Sequence, residues 1–269
     1  MRHWWYGWIV GLGLVATSHA EEVIKVGVVL PFSGVYASLG GDITDGVQLA
    51  FEIYGSEIAG KKIMLITEDS EVKPSVGLTK TKKLVFQDKV DLLVGPVASN
   101  VAGAMRDFVH TAKIPLIIPN AGNNLLTGEK CSPWVIRTSF SNDQINGVMG
   151  PWLYAQGHRT LYLMAADYAA GRQMMDAVRR GFVGAGGEIV GEEYWPGRRT
   201  YIEDRTWSKR VVDTRLNDLY NARDGNIQVL LAGAFGGRRS FVNMGPRSYS
   251  GKVGDPSTKP SATRWRHDR

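Results

Sequence analysis

The chain has 269 residues, 43% of them hydrophobic and 22% charged, which is enough for one large or two modest domains with apolar cores. Cys131 is the only cysteine, so the sequence excludes an intramolecular disulfide. The net charge of +6 is uneven, because residues 1–196 carry 17 Lys and Arg against 19 Asp and Glu, whereas residues 197–269 carry 15 against 7. A basic tail can bind nucleic acid or an anionic membrane, but we expect neither partner here.

The first 20 residues predict a cleavable secretory signal. Arg2 and His3 form a positive start, Trp4 to Ala16 an apolar core, and Ser18 to Ala20 a small-x-small cleavage site. The alternative is a membrane anchor, but this apolar run is shorter than the ~20 residues that span a bilayer. We therefore expect an exported, periplasmic protein.

Four apolar runs in the first half of the chain predict buried parallel strands. They end in Gly, Pro or short polar residues, and they comprise Val23–Leu30, Lys62–Glu68, Asp91–Val94 and Ile114–Ile118. Helical patterns separate them, with short connections and no predicted hairpin. The resulting βαβαβαβ order predicts an α/β fold whose parallel sheet is covered on both faces.

Three helices are predicted between these strands. The first begins at Asp42 after a long loop, and the second begins at Pro74. Ser99 or Asn100 can cap the third helix. That helix then has one core-facing stripe with a 3.6-residue period, made of Val101, Ala102, Met105, Phe108, Val109 and Ala112.

Two neighbouring strands end in small, polar, Gly-rich loops. The strand Asp91–Val94 stops at Gly95 and Pro96, ahead of a helix whose first N–H groups have no intrahelical acceptor. The strand Ile114–Ile118 stops at the loop 119–124. Because ligands of open α/β sheets bind outside the carboxyl ends of the strands, these loops predict half of a binding cleft.

A second α/β unit is predicted after an extended piece at Trp134–Phe140. It contains a strand at Thr160–Met164, a helix with its apolar side toward a core, and a strand at Glu188–Trp195. We expect a first lobe over residues 21–139, a hinge at about 139–142, and the start of a second lobe over residues 140–196.

The sequence lacks the usual motifs of nucleotide binding, metal binding and catalysis. It has no G-x-G-x-x-G, no P-loop, no G-x-S-x-G, and no H-x₃-H or C-x₂-C spacing. An exported hydrolase that used Ser99 or Asp167 would need a nearby base, and His110 lies about three helical turns beyond Ser99. We therefore predict no enzyme activity and no cofactor.

Five segments occur in an order and spacing typical of one protein family. They are IKVGVVLPFSGVYASLGGDITDGVQLAFE at 24–52, LLVGPVASNVAGAM at 92–105, IPLIIPNAGNNLLTG at 114–128, RTSFSNDQ at 137–144 and ADYAAGRQMMDAVRRGF at 166–182. Over about residues 23–196 the chain resembles the type I periplasmic solute-binding proteins of the branched-chain amino acid (Leu/Ile/Val) ABC-transporter family. The resemblance implies a two-lobed fold of parallel, Rossmann-like sheets. It also implies a monomer that binds a small solute between its lobes and delivers it to membrane permease subunits.

The resemblance implies a solute with a carboxylate, either branched-chain amino acid-like or aromatic. Ser99 and the helix N–H groups near Asn100 would bind the carboxylate, because a helix N-terminus favours an anion. The loop after the fourth strand would offer backbone groups at Asn120, Ala121 and Gly122.

Three further side chains match cleft positions of the family. Asn123 is either a polar contact or turn chemistry. Tyr36 and Tyr168 match aromatic or hydroxyl positions, one on each lobe, and a plain surface tyrosine is the alternative for each. Family members that bind α-amino acids often have a threonine near Gly122, and its absence here argues against an amino-acid ligand. The AGNN loop at 121–124 and the segment YAAG at 168–171 resemble the branch of the family associated with aromatic or other carboxylate solutes.

The resemblance ends after Trp195. Residues 197–269 are arginine-rich, with only Ile227–Leu231 resembling a buried strand, and residues 248–269 have the composition of a disordered segment. This irregular basic tail indicates a shifted reading frame or an altered gene end. Three alternatives to transport stay open, namely a sensory ligand-binding protein, an exported α/β hydrolase and a non-functional truncated remnant.

Overall fold

The computed structural model describes residues 23–195 and the backbone of two later strands, at 227–232 and 240–244. The predicted signal at residues 1–20 and most of the basic tail lie outside the described residues. In the part of the chain that is described, no helix is long and apolar enough to cross a membrane.

The first sheet contains six of the described strands in the order β2-β3-β1-β4-β5-β6. All of its pairs are parallel except the short pair between β2 and β3. The strands are β1 (Val23–Leu30), β2 (Glu57–Ile58), β3 (Lys61–Asp69), β4 (Leu92–Val94), β5 (Leu116–Ile118) and β6 (Val135–Arg137).

The second sheet contains four described strands in the order β10-β9-β7-β8. β7 pairs in parallel with both β8 and β9, and β10 is antiparallel to β9. The strands are β7 (Thr160–Ala166), β8 (Glu188–Trp195), β9 (Ile227–Ala232) and β10 (Ser240–Met244). Two mainly parallel sheets with helical crossovers confirm the predicted α/β fold.

Each sheet has its own apolar core. The first core contains β1, β4, β5 and the predicted stripe of α3, in which Val101, Ala102, Met105 and Val109 are fully buried. The second core lies between β7, α5 and α6, around Phe182. The helices are α1 (Ala37–Tyr54), α2 (Pro74–Phe86), α3 (Ser99–Ala112), α4 (Asn142–Asn146), α5 (Met149–Ala155) and α6 (Ala169–Gly184).

Three sequence predictions about elements were wrong. α1 begins at Ala37 rather than at Asp42, because Gly40 lies inside the helix, where an added Cβ would be 1.9 Å from the carbonyl oxygen of Pro31. The predicted absence of hairpins fails at Ile58, which pairs with Lys61 across a tight turn. In the tail the strand at Ile227–Ala232 is confirmed, but a second strand, β10, pairs with it and was not predicted.

The chain passes from the first sheet to the second between Arg137, the end of β6, and Asn142, the start of α4. Ser141 opens α4 with a capping box, in which its hydroxyl accepts from the Gln144 N–H and the Gln144 side chain accepts from the Ser141 N–H. The hinge at 139–142 falls in this link and stays a prediction.

We expect Gly150→Ala to destabilise the protein by about 1–3 kcal/mol, because overpacking moves backbone that is already in contact. An added Cβ at Gly150 would lie 2.3 Å from the Phe182 nitrogen and 2.5 Å from the Val178 carbonyl oxygen, so α5 must move away from α6. The matched control is Gly46→Ala in α1, where no atom lies within 4 Å of the added Cβ and helix propensity predicts a gain of up to ~1 kcal/mol. Urea unfolding of both variants measures the change in the free energy of unfolding. Equal changes for the two variants would contradict the α5–α6 packing.

Candidate functional site

The carboxyl ends of the central strands lie at one edge of the first sheet. Leu30, the last residue of β1, is in register with Asp69, and Val94 at the end of β4 is in register with Ile117 of β5. The loops that follow β1, β3, β4 and β5 therefore meet at this edge, as the sequence predicted for a binding cleft.

Ser99 is the first residue of α3 and is 3% exposed. The N-cap residue is Ala98, and no side chain caps the helix, so the prediction of an N-cap at Ser99 or Asn100 was wrong. The Ser99 hydroxyl instead faces Asn142, whose Nδ2 donates to Ser99 Oγ at 3.3 Å. The Asn100 side chain accepts from the N–H of Val101.

Four residues form a closed set of hydrogen bonds between the two sheets, which we call the amide ring: Ser99, Asn123, Asn142 and Gln173. Asn142 Nδ2 donates to Gln173 Oε1 at 2.8 Å as well as to Ser99 Oγ. Gln173 Nε2 donates to Asn123 Oδ1 at 2.9 Å. Asn123 Nδ2 returns to the carbonyl oxygen of Ser99 at 3.0 Å.

The loop after β5 packs against this ring. The Ala121 N–H donates to the Pro96 carbonyl oxygen at 3.3 Å, and the Gly122 carbonyl oxygen accepts from the Asn142 N–H at 2.7 Å. Gly122 is needed here, because an added Cβ would lie 2.5 Å from Asn142 Oδ1. Asn120 lies at the same edge and is half-buried.

Asn123 shows the turn chemistry that was one of its two predicted roles, and its contact with a solute stays a prediction. It is 4% exposed, and its Oδ1 also accepts from the Leu125 N–H at 3.1 Å, which is the turn chemistry of a helix start. The Asn123 side chain therefore makes its hydrogen bonds to other groups of the protein.

The two predicted tyrosines face each other across the sheets, with their hydroxyl oxygens 3.2 Å apart. Tyr36 follows β1 and is buried, and Tyr168 precedes α6 and is half-buried. Burial raises the pKa of Tyr36, and it raises the pKa of Tyr168 well above its ordinary value, with the neighbouring phenol of Tyr36 adding to the effect. Both phenols therefore stay neutral and able to donate a hydrogen bond at physiological pH.

Asp69, at the end of β3, holds the loop that carries Tyr36. Its Oδ1 accepts from the N–H groups of Phe32 and Glu71 at 3.0 and 2.7 Å. Burial by itself would raise the pKa of Asp69, but hydrogen bonds from Ser33, Phe32 and Glu71 outweigh burial and lower the pKa below its ordinary value. The carboxylate is thus an ionised anchor for the β1 loop.

The sequence predicted neither Asn142 nor Gln173 as a cleft residue, although Asn142 lies in the predicted hinge and Gln173 in a segment of the family resemblance. Neither residue has a spacing that identifies it, because their partners are 31 to 50 positions away. Among the described residues, no group of three or more His, Cys, Asp or Glu could hold a metal ion.

Comparison with known proteins shows the family of the chain. A model of the periplasmic binding protein family matches residues 23–202. The chain is a type I periplasmic binding protein of the branched-chain amino acid family. It is 26% identical over 178 residues to Leu/Ile/Val-binding protein homolog 6 of Brucella abortus (strain 2308), a match that covers 66% of this chain and 45% of that protein.

Two solved solute-binding proteins of ABC transporters are also similar to this periplasmic binding protein. One from R. palustris, in complex with benzoate, is 34% identical with a TM-score of 0.66, and the match covers 71% of this chain and 52% of that one. Another from Rhodopseudomonas palustris BisB5, in complex with 3,4-dihydroxybenzoic acid, is 27% identical with a TM-score of 0.66, covering 78% and 61%. The chain spans about half the length of the curated relatives it matches.

We expect Tyr168→Phe to reduce the loss of stability at alkaline pH. A raised phenol pKa means that the folded protein keeps a proton that the unfolded chain releases above about pH 10, so stability falls as the pH rises through and beyond that value. Removing the hydroxyl removes this contribution, which urea unfolding between pH 8 and pH 11 measures. The control is Tyr54→Phe, whose ring is 84% exposed. An equal change in both variants would contradict the buried tyrosine pair.

Proposed function

We propose that this protein is the extracytoplasmic solute-binding component of an ABC uptake transporter, and that its solute is a small aromatic carboxylate. The observation that carries the proposal is the position of Ser99, which is at once the first residue of α3 and the contact between the two sheets. The residues that we propose to surround the solute are Tyr36, Ser99, Asn100, Asn120, Ala121, Gly122 and Tyr168.

The N-terminus of α3 supports a negatively charged solute. The first N–H groups of a helix carry partial positive charge and lack intrahelical acceptors. Among the hydrogen bonds between described residues, none takes up the N–H groups of Ser99 and Asn100. These two donors, together with the Ser99 hydroxyl, match the acceptor-only chemistry of a carboxylate.

An aromatic acid is favoured over an amino acid by what surrounds this position. An α-ammonium group needs an anionic partner, and the three carboxylates close in sequence to Asn142 and Gln173 are all paired with arginine. Asp143 pairs with Arg180 at 3.0 Å, Asp167 with Arg172 at 2.7 Å, and Asp176 with Arg179 at 3.1 Å. The tyrosine pair offers flat apolar surface and neutral hydroxyls, and two relatives bind benzoates.

The family and the buried position of Ser99 both support delivery of the solute to a transporter. A solute reaches a residue that is 3% exposed only when the two sheets separate, and closure over the solute then gives a permease a distinct form to recognise. We propose that the protein works in this way as a periplasmic monomer, without chemistry on the solute and without nucleic acid.

Thermal melting of the purified protein tests the function directly. Because only native-state binding raises the midpoint, we expect sodium benzoate and 3,4-dihydroxybenzoate to raise it more than leucine does. Leucine as the strongest ligand would replace the aromatic solute class with an amino acid. A midpoint that none of these carboxylates raises would contradict solute binding of this class.

We further expect Ser99→Ala to weaken benzoate binding by about 10- to 100-fold, the range for losing one hydrogen bond to a charged group. The matched control is Thr111→Ala near the other end of α3, whose hydroxyl donates only to the Asp107 carbonyl oxygen of its own helix. Calorimetric titration measures both. Equal affinities for the two variants would exclude Ser99 as a carboxylate ligand.

A further inference from the structure

The orientation of every amide in the amide ring is fixed by the protein backbone. A backbone N–H can only donate and a backbone carbonyl can only accept, so each one determines which end of a side-chain amide faces it. In the ring, three backbone groups contact the side chains of Asn123 and Gln173: the N–H of Asn124, the N–H of Leu125 and the carbonyl of Ser99.

These backbone groups fix the orientations of the Gln173 and Asn123 side-chain amides. The Asn124 N–H lies 3.1 Å from Gln173 and requires Oε1 there, which turns Gln173 Nε2 toward Asn123. The Leu125 N–H likewise requires Oδ1 of Asn123, and the Ser99 carbonyl requires Nδ2 of the same side chain. The two assignments agree, because Gln173 Nε2 then donates to Asn123 Oδ1.

The orientation of the Asn142 side-chain amide follows from that of Gln173. Since Gln173 presents Oε1, the atom of Asn142 at 2.8 Å from it must be the donor Nδ2. The same Nδ2 is 3.3 Å from Ser99 Oγ, and an amide nitrogen cannot accept a hydrogen bond. Ser99 Oγ is therefore the acceptor in that contact, and its own proton points elsewhere.

We propose that Asn142 is a positioning residue that makes Ser99 a hydrogen-bond donor to the solute. With one lone pair of Oγ occupied by Asn142, the Ser99 hydroxyl donates into the space next to the N-terminus of α3. The inference rests on the proposed function and deepens it, because it predicts selection for an acceptor-only carboxylate. A neutral primary amide of the same size, such as benzamide, would present its own N–H donors to this set of donors.

Asn142 is itself held firmly, which suits a positioning role. It is 1% exposed, its N–H donates to the Gly122 carbonyl at 2.7 Å, and its carbonyl accepts from Asn146 Nδ2 at 2.8 Å. Among the described residues, no buried side-chain nitrogen or oxygen lacks a hydrogen-bond partner. Gln173 belongs to α6, so its bond to Asn142 also ties α4 to α6.

The test is a double-mutant cycle on Ser99→Ala and Asn142→Ala, measured by calorimetric titration with benzoate and benzamide. We expect Asn142→Ala to weaken benzoate binding about tenfold in the wild-type background and less than about twofold in the Ser99→Ala background, because the two residues act through one bond. Benzamide binding should change little. The matched control is Thr81→Ala, which removes a fully buried hydroxyl that donates to the Gly77 carbonyl oxygen of its own helix α2.

Three outcomes would overturn the positioning role. They are equal losses of benzoate affinity in both Ser99 backgrounds, equal losses for benzoate and benzamide, and an effect of Thr81→Ala as large as that of Asn142→Ala. Each would mean that Asn142 acts through folding or lobe packing alone.

A ligand-free measurement separates the ring from the function. In the unliganded protein, an NMR cross-peak between the Asn142 side-chain amide protons and the Ser99 β-protons is expected, and its absence overturns the proposed contact. If the cross-peak is present but the wild-type protein binds neither benzoate nor leucine, the ring stands. The proposed function, and with it the role of Asn142 toward a solute, is then refuted.

Discussion

Gln173 Oε1 accepts hydrogen bonds from the Asn124 N–H and from Asn142 Nδ2, and this one atom joins the helix of the second sheet to the cleft edge of the first. The positions of the other cleft groups depend on that contact. It aligns Asn142 with Ser99, it brings α6 close enough for Tyr168 to meet Tyr36, and it leaves the Asn123 side chain facing inward. Side-chain amides are suited to this buried contact between the sheets, because each one can donate and accept hydrogen bonds without carrying a charge that burial would destabilise.

α3 serves both the core and the cleft because of its direction. Its apolar stripe packs against the first sheet, and a helix that follows a parallel strand starts at the carboxyl edge. The packing that stabilises Met105 and Val109 therefore also fixes where Ser99 and the helix N-terminus lie. This link would let the proposed site bind an anion through helix N–H groups and the Ser99 hydroxyl.

Local sequence patterns predicted the features that depend on local chemistry. The buried runs at Val23–Leu30 and Ile114–Ile118, and the stripe from Val101 to Ala112, follow from apolar periodicity and were confirmed. The predicted start of α1 was wrong because the Gly40-Gly41 pair is typical of a loop. In the structure Gly40 lies inside the helix, where its close approach to Pro31 leaves no room for a side chain. Periodicity does not show which backbone a glycine approaches.

The candidate site was predictable only in part, for a related reason. The sequence predicted Ser99, Tyr36 and Tyr168 as cleft residues, because they follow strands or lie in family segments. It did not predict Asn142 as the partner of the Ser99 hydroxyl. Asn142 reaches Ser99 across 43 positions of sequence, and Gln173 reaches Asn123 across 50. Such contacts arise from the docking of two sheets. Local sequence patterns predict the strands and helices of each sheet, but they do not predict which side chains meet between the sheets.

The central claim is that α3 and Ser99 bind a carboxylate in its ionised form. The most direct measurement is carbon-13 NMR of carboxyl-labelled benzoate bound to the protein, followed as the pH is lowered. Donors at a helix N-terminus stabilise the anion, so the bound ligand should keep its ionised chemical shift to a lower pH than free benzoate does, and Ser99→Ala should narrow that difference. A bound carboxyl group that protonates at the same pH as free benzoate, or at a higher one, would contradict the claim.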